Sequence, residues 1–127
     1  TLFAAGCGRI FEGSPQDMYS SLHQKIGSLP PETRLYFGHE YTEKNLEFCL
    51  DVEPNNHKAH VLLKEVRKIR SQRKFTTPST ISQEFATNPF MRTKELEIQK
   101  RVRELEPDAD LSPVSVFRVL REYKNRF

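Results

Sequence analysis

The sequence predicts an α+β chain built of two unlike pieces, a strand-bearing first third and a helical remainder. Three observations carry this. Short apolar runs at residues 1–5 and 34–37 flank one capped helix, apolar residues recur at helical spacing from Thr42 onward, and proline or asparagine pairs interrupt that spacing.

Residues 1–5 read as a strand running into the turn Gly6-Cys7-Gly8. A strand with no leading loop would leave an unpaired edge, which suggests that the chain is a fragment. Ser14 can cap a helix, with Pro15 suited to its first position and Asp17 placed three residues after the cap. Met18, Leu22 and Ile26 then share a face, and Gly27 with Pro30-Pro31 ends the helix. Arg34-Leu35-Tyr36-Phe37 reads as a buried strand, so that strand, helix and strand form the edge of an α/β layer.

Beyond His39 the texture changes. Thr42 is expected to cap a helix to about residue 51 with Leu46, Cys49 and Leu50 inward. Pro54-Asn55-Asn56 breaks it, and a longer helix runs over 57–73 with Ala59, Leu62, Leu63, Val66 and Ile69 at helical spacing. Residues 75–89 are rich in turn residues, with one short helix that Thr80 and Gln83 could cap. A helix over 93–105 turns Leu96 and Val102 inward, and Ser112-Pro113 starts a last helix carrying Val116, Leu120 and Tyr123 on one face.

Composition narrows the function classes. Apolar residues make up 36% of the chain and charged ones 29%, which suits long solvated helix faces better than a deep sheet core. A net charge of +3 is too mild to argue for nucleic acid by itself. Two cysteines, Cys7 and Cys49, are too few for a disulfide scaffold and point to a reducing compartment. No apolar run approaches the ~20 residues of a membrane span.

Several residues could carry chemistry. His39 ends the second apolar run within Gly38-His39-Glu40-Tyr41, a good position for a metal ligand, yet a hydrolytic zinc site needs about three protein ligands and an open position. His23, His57 and His60 sit in unrelated helical contexts; His57 and His60 are three apart but lack a third partner. Residues 64–74 are densely basic, either a phosphate-binding stripe or the wet face of an amphipathic helix, and the helix face is the plainer reading. Arg121 and Lys124 lie three apart on the last helix, a spacing that fits a small anionic ligand as well as a solvated helix end. Cys7 between two glycines is either a reactive thiol or a small side chain in a tight turn. Asn88-Pro89-Phe90-Met91-Arg92 reads as a docking loop with an apolar anchor.

The order of short motifs is more specific than any one of them. Thr1-Leu2-Phe3, Gly6-Cys7-Gly8-Arg9, Phe11-Glu12-Gly13, Gly38-His39-Glu40-Tyr41-Thr42, Asn45-Leu46, Val52-Glu53-Pro54, Pro78-Ser79-Thr80, Glu84-Phe85 and Asn88-Pro89-Phe90-Met91-Arg92 resemble, in this order, the hydroxyacylglutathione hydrolases (glyoxalase II) of the metallo-β-lactamase superfamily. The resemblance covers essentially the whole chain. It implies the C-terminal part of an αββα sandwich over residues 1–39, followed by an all-helical substrate-binding domain over 40–127.

It further implies a thioesterase that splits S-D-lactoylglutathione into D-lactate and glutathione at two divalent metal ions, zinc with iron or manganese as alternatives. Of the family's metal ligands (a His-x-His-x-Asp-His motif, a further histidine, a bridging aspartate and the histidine of Gly-His-Glu-Tyr) only the last is present, as His39. The bridging aspartate stands directly before Thr-Leu-Phe in the family, so this chain starts one residue after it. Glutathione contacts carry over to Arg9 (usually lysine), Tyr41, Arg121 and Lys124, the last two holding the glycine carboxylate. Phe11 departs from the family's usual tyrosine. The chain alone is then expected to be inactive, with the missing N-terminal half of the fold and a glutathione thioester as its partners, no nucleic acid and no membrane among them (nucleic-acid binding through residues 64–74 being a third, weaker alternative), and a cytoplasmic or mitochondrial matrix location. The competing expectation is a non-catalytic module that binds glutathione or a protein without the metal half.

Overall fold

A computed structural model describes residues 1–127. Its elements, in chain order, are β1 (Leu2–Phe3), β2 (Gly6–Cys7), α1 (Pro15–Ser20) with a π-helical continuation (Ser21–Ile26), β3 (Arg34–Leu35), α2 (Thr42–Val52), α3 (His57–Ser71), β4 (Ser79–Thr80), α4 (Ile81–Thr87), a 3-10 turn (Pro89–Met91), α5 (Leu96–Leu105) and α6 (Pro113–Arg126). The chain is mostly helical, as the composition suggested.

The strands are shorter than expected and form no layer. β1 pairs antiparallel with β2 as a tight hairpin, and β3 pairs antiparallel with β4. Two ladders of two strands each cannot bury a sheet face, so no αββα sandwich is formed within this chain by itself. Residues 34–37 are correspondingly not a buried strand: Arg34 is exposed, Leu35 half-buried and Tyr36 66% exposed.

Helix ends follow local chemistry. Ser14 and Asp17 form a reciprocal capping box, the Ser14 amide donating to Asp17 Oδ2 at 2.9 Å and the Asp17 amide to Ser14 Oγ at 3.2 Å. The helix then widens, and the Gly27 amide reaches back five residues to the Leu22 carbonyl at 2.7 Å. Only glycine fits there, because a Cβ would stand 2.9 Å from Leu22 O and 3.1 Å from Phe85. Asn56, Thr80 and Ser112 each cap the helix that follows through a side-chain oxygen.

Two helix starts differ from the sequence reading. Thr42 is the first residue of α2 rather than its cap, because its hydroxyl is taken by Thr76 Oγ1 at 2.6 Å. α5 begins at Leu96, which is 81% exposed, and the buried face carries Ile98 and Val102 instead. At ~100° per residue, Ile98 lies about 40° from Val102 and Leu96 about 120° away.

The main core gathers Leu22, Phe48, Phe90, Ile98, Val102, Phe117 and Leu120, while Ala5, Leu46, Cys49, Ala59, Leu63 and Val66 form a smaller core between α2 and α3. The Phe90 turn is anchored as the docking-loop reading expects, with its ring fully buried. Arg92 locks that turn to the end of α2 through a two-pronged pair with Glu53, Nη2 to Oε1 at 2.7 Å and Nε to Oε2 at 3.1 Å.

Candidate functional site

The β1–β2 hairpin is fastened from every side, and it forms one wall of the largest cavity. Its turn residue Ala5 adopts a left-handed backbone with φ of 58°. Buried Glu84 accepts the Ala5 amide at 2.8 Å, Asn45 Nδ2 donates to Ala4 O at 3.0 Å, and Asn88 Nδ2 donates to Gly6 O at 3.1 Å. Gly6 must be glycine, since a Cβ would come within 2.6 Å of Asn45 Nδ2. From α6, Arg121 Nη1 donates to Cys7 O at 2.5 Å and to Gly8 O at 3.3 Å.

Between this hairpin, the start of α2 and the end of α6 lies a cavity of about 520 Å³, lined by Phe3, Cys7, Gly8, Arg9, Phe11, His39, Tyr41, Lys44, Asn45, Arg121 and Lys124. Four of these side chains are cationic and none is a carboxylate. Such a lining concentrates positive potential and favours an anionic ligand. The lining also holds aromatic rings: the His39 and Tyr41 rings stack in parallel at 5.0 Å, and Phe3 meets both edge-on.

Glu40, between His39 and Tyr41 in sequence, is bound to a different segment. Its carboxylate accepts the Thr76 amide at 2.7 Å and the Thr76 hydroxyl at 2.8 Å, and Thr76 also bonds Thr42. The clamp fixes the His39–Tyr41 segment against the loop before β4.

The residues singled out from the sequence therefore share one cavity, but in different states. Arg9, His39 and Tyr41 are exposed. Arg121 is only 6% exposed, with its guanidinium committed to Cys7 O, Gly8 O and Asn125 Oδ1 and lying over the Phe90 ring at 5.3 Å. Lys124 is half-buried, with Nζ over the Phe48 ring at 5.4 Å, and it forms no salt bridge within the chain. Burial, and then the charge of Arg121, hold the Lys124 ammonium below the ordinary lysine value. Phe11 is 88% exposed at the rim.

Cys7 is buried, and its thiol is pushed up to about 11 by that burial, against the opposing pull of Arg121 and Lys124. It is therefore protonated at neutral pH and is no nucleophile. The other histidines are placed elsewhere: His23 stacks on Tyr19 with Nε2 at 2.9 Å from Phe90 O, and His60 Nε2 lies 2.7 Å from Pro54 O. No group of three His, Cys, Asp or Glu side chains comes together, so this chain's residues do not by themselves fit a metal ion. The basic stripe of α3 is partly neutralised, Arg67 pairing with both Glu43 and Glu47 of α2. No helix is long and apolar enough to cross a membrane.

Sequence reasoning missed Phe3, Lys44 and Asn45 as lining residues. Lys44 had a usable signal, because it stands three residues after Tyr41 and so returns to nearly the same side at the helix start.

Comparison with known proteins points the same way as the motif order. The family described as "Hydroxyacylglutathione hydrolase C-terminus" matches residues 40–127. Proteins named hydroxyacylglutathione hydrolase are similar along the whole chain: that of Vibrio cholerae serotype O1 is 45% identical over 126 residues, covering 99% of this chain and 49% of the relative. That of Pseudomonas fluorescens is 43% identical and that of Pseudomonas aeruginosa 44%, each over 127 residues, all of this chain and 49% of the relative. The chain thus spans about half the length of the curated relatives it matches. On the family match, the chain belongs to the hydroxyacylglutathione hydrolase C-terminal family.

Proposed function

We propose that this chain is the glutathione-binding part of a metal-dependent hydroxyacylglutathione hydrolase, which cleaves S-D-lactoylglutathione to D-lactate and glutathione. The observation that carries the reading is the cavity in which Arg9, Lys44, Arg121 and Lys124 meet no carboxylate. Glutathione suits it, as a flexible peptide with a carboxylate at each end. Lys124 offers a desolvated ammonium free to take the glycine carboxylate. Arg121 holds the wall behind it and adds charge, Arg9 reaches from the rim, and the stacked Tyr41 presents an exposed hydroxyl-bearing ring to the peptide.

In this reading residues 1–39 complete a metallo-β-lactamase sandwich with the remaining half of that fold, and residues 40–127 form the helical substrate-binding domain. His39 is then one ligand of a two-metal centre, zinc with iron or manganese as alternatives, whose other ligands lie outside this chain. The residues present here bind and orient the thioester; no bond-making step is assigned to them.

Calorimetric titration of the chain with S-methylglutathione tests the binding role. Saturable binding is expected, weakened about fivefold or more by Lys124→Gln, which removes one charge-assisted contact. No binding at millimolar ligand would overturn the reading. The chain alone, supplied with zinc, is expected to leave S-D-lactoylglutathione intact; turnover would mean that a complete catalytic set lies within it.

Affinity should also depend on pH in a particular direction. Lys124 binds an anion only while protonated, and its ammonium loses its proton below the ordinary 10.5. Binding should therefore hold at neutral pH and fall on raising the pH, sooner than for a freely exposed lysine. The part of the fall caused by Lys124 is absent from Lys124→Gln, so the ratio of the two affinities shrinks as pH rises. A constant ratio from neutral pH to about pH 10 contradicts the assignment.

A further inference from the structure

Lys44 belongs to the cationic lining of the cavity, and no ion pair or hydrogen bond within the chain accounts for its placement there. It lies in the first turn of α2, where a positive charge opposes the helix dipole and costs a few tenths to about 1 kcal/mol. No acid pairs with it. The acids within one turn of it are Glu40, Glu43 and Glu47, and all three are occupied: Glu40 by Thr76, Glu43 and Glu47 by Arg67 of α3. Lys44 itself is exposed, forms no salt bridge and lines the cavity. Lys124, also without an acidic partner, reaches the same cavity from α6.

We propose that Lys44 is a second, independent anion contact of this cavity, so that the ligand carries two separated negative charges, one met from α6 and one from the start of α2. The proposal rests on the glutathione reading and refines it: with Lys124 on the glycine carboxylate, Lys44 takes the carboxylate of the γ-glutamyl end. It makes Lys44 a specificity-determining residue, because a ligand bearing one carboxylate leaves one ammonium unmatched.

The test compares S-methylglutathione with its glycine monoethyl ester, titrated by calorimetry into the unaltered chain, Lys44→Gln and Lys124→Gln. Lys44→Gln should weaken both ligands by a similar factor of about five, since the γ-glutamyl carboxylate is present in each. Esterification should weaken binding to the unaltered chain and to Lys44→Gln, and have little effect on Lys124→Gln. The thermal midpoint of Lys44→Gln should stay level or rise, because the unfavourable helix-start charge is gone. A loss below twofold with Lys44→Gln overturns the proposal while leaving the glutathione reading intact. So does a Lys44→Gln effect that vanishes with the ester, since both lysines would then share one carboxylate. No binding of S-methylglutathione to the unaltered chain overturns both.

Discussion

Replacing Glu84 with alanine is expected to destabilise the chain by about 3 kcal/mol or more, read as a lowered denaturant midpoint. Glu84 is fully buried and collects donors from three parts of the chain: the Ala5 amide of the hairpin turn at 2.8 Å, Asn88 Nδ2 at 2.9 Å and Ser79 Oγ at 2.5 Å. Alanine leaves the Ala5 amide without an acceptor and opens a cavity; a buried unsatisfied donor alone costs about 1–3 kcal/mol. Glutamine should cost roughly half as much, because its carbonyl can keep Ala5 and Asn88 while its amide donates to Ser79 Oγ.

Burial holds the Glu84 carboxyl above its usual range, with the bonds from Ser79, Asn88 and Ala5 opposing only part of that rise. The folded state thus keeps the proton at pH values where the unfolded chain has released it. This contribution to stability is fully present below the unfolded value near 4.5 and is lost as pH rises through the folded value. In Glu84→Gln that part of the pH dependence should disappear. An unchanged profile would show that Glu84 is not the group responsible.

What the sequence revealed and hid follows from the range of the forces involved. Caps at Ser14, Thr80 and Ser112 were legible because each is set within three residues, and the inward faces of α2, α3 and α6 because helical periodicity is local. Thr42 was misread because a partner 34 positions away, Thr76, claims its hydroxyl. Leu96 was misread because it stands six residues before Val102, about 120° round the helix, so the two cannot share an inward face, whereas Ile98, four residues before Val102, can. The strands looked longer than they are, since an apolar run signals a strand without saying whether neighbours exist to pair with it. Arg9, His39, Tyr41, Arg121 and Lys124 reach one cavity although the first and last lie 115 positions apart, and spacing alone related only Arg121 to Lys124.

That last pair should separate cleanly on mutation. Arg121→Ala is expected to cost about 3 kcal/mol of stability, whereas Lys124→Ala should leave the denaturant midpoint nearly unchanged and weaken only ligand binding. The two cations share a helix face, yet the fold uses them differently. Arg121 is buried and supplies the hydrogen bonds that close off Cys7 O and Gly8 O, so alanine removes a charged donor, strands two carbonyls and leaves space against Phe90. Lys124 donates to no group that folding requires, and its ammonium is held there at a desolvation cost. Losing it should relieve the folded state slightly. Arg121→Lys tests whether geometry or charge matters at 121: an ammonium can donate to both carbonyls, as Nη1 does, but it has no second nitrogen for Asn125 Oδ1 and no planar group to lie over Phe90, so stability should be recovered only in part. Full recovery would show that charge alone suffices. A loss of stability with Lys124→Ala equal to that with Arg121→Ala would mean that both hold the wall, and the cavity would then have no ammonium free for an anion at that end.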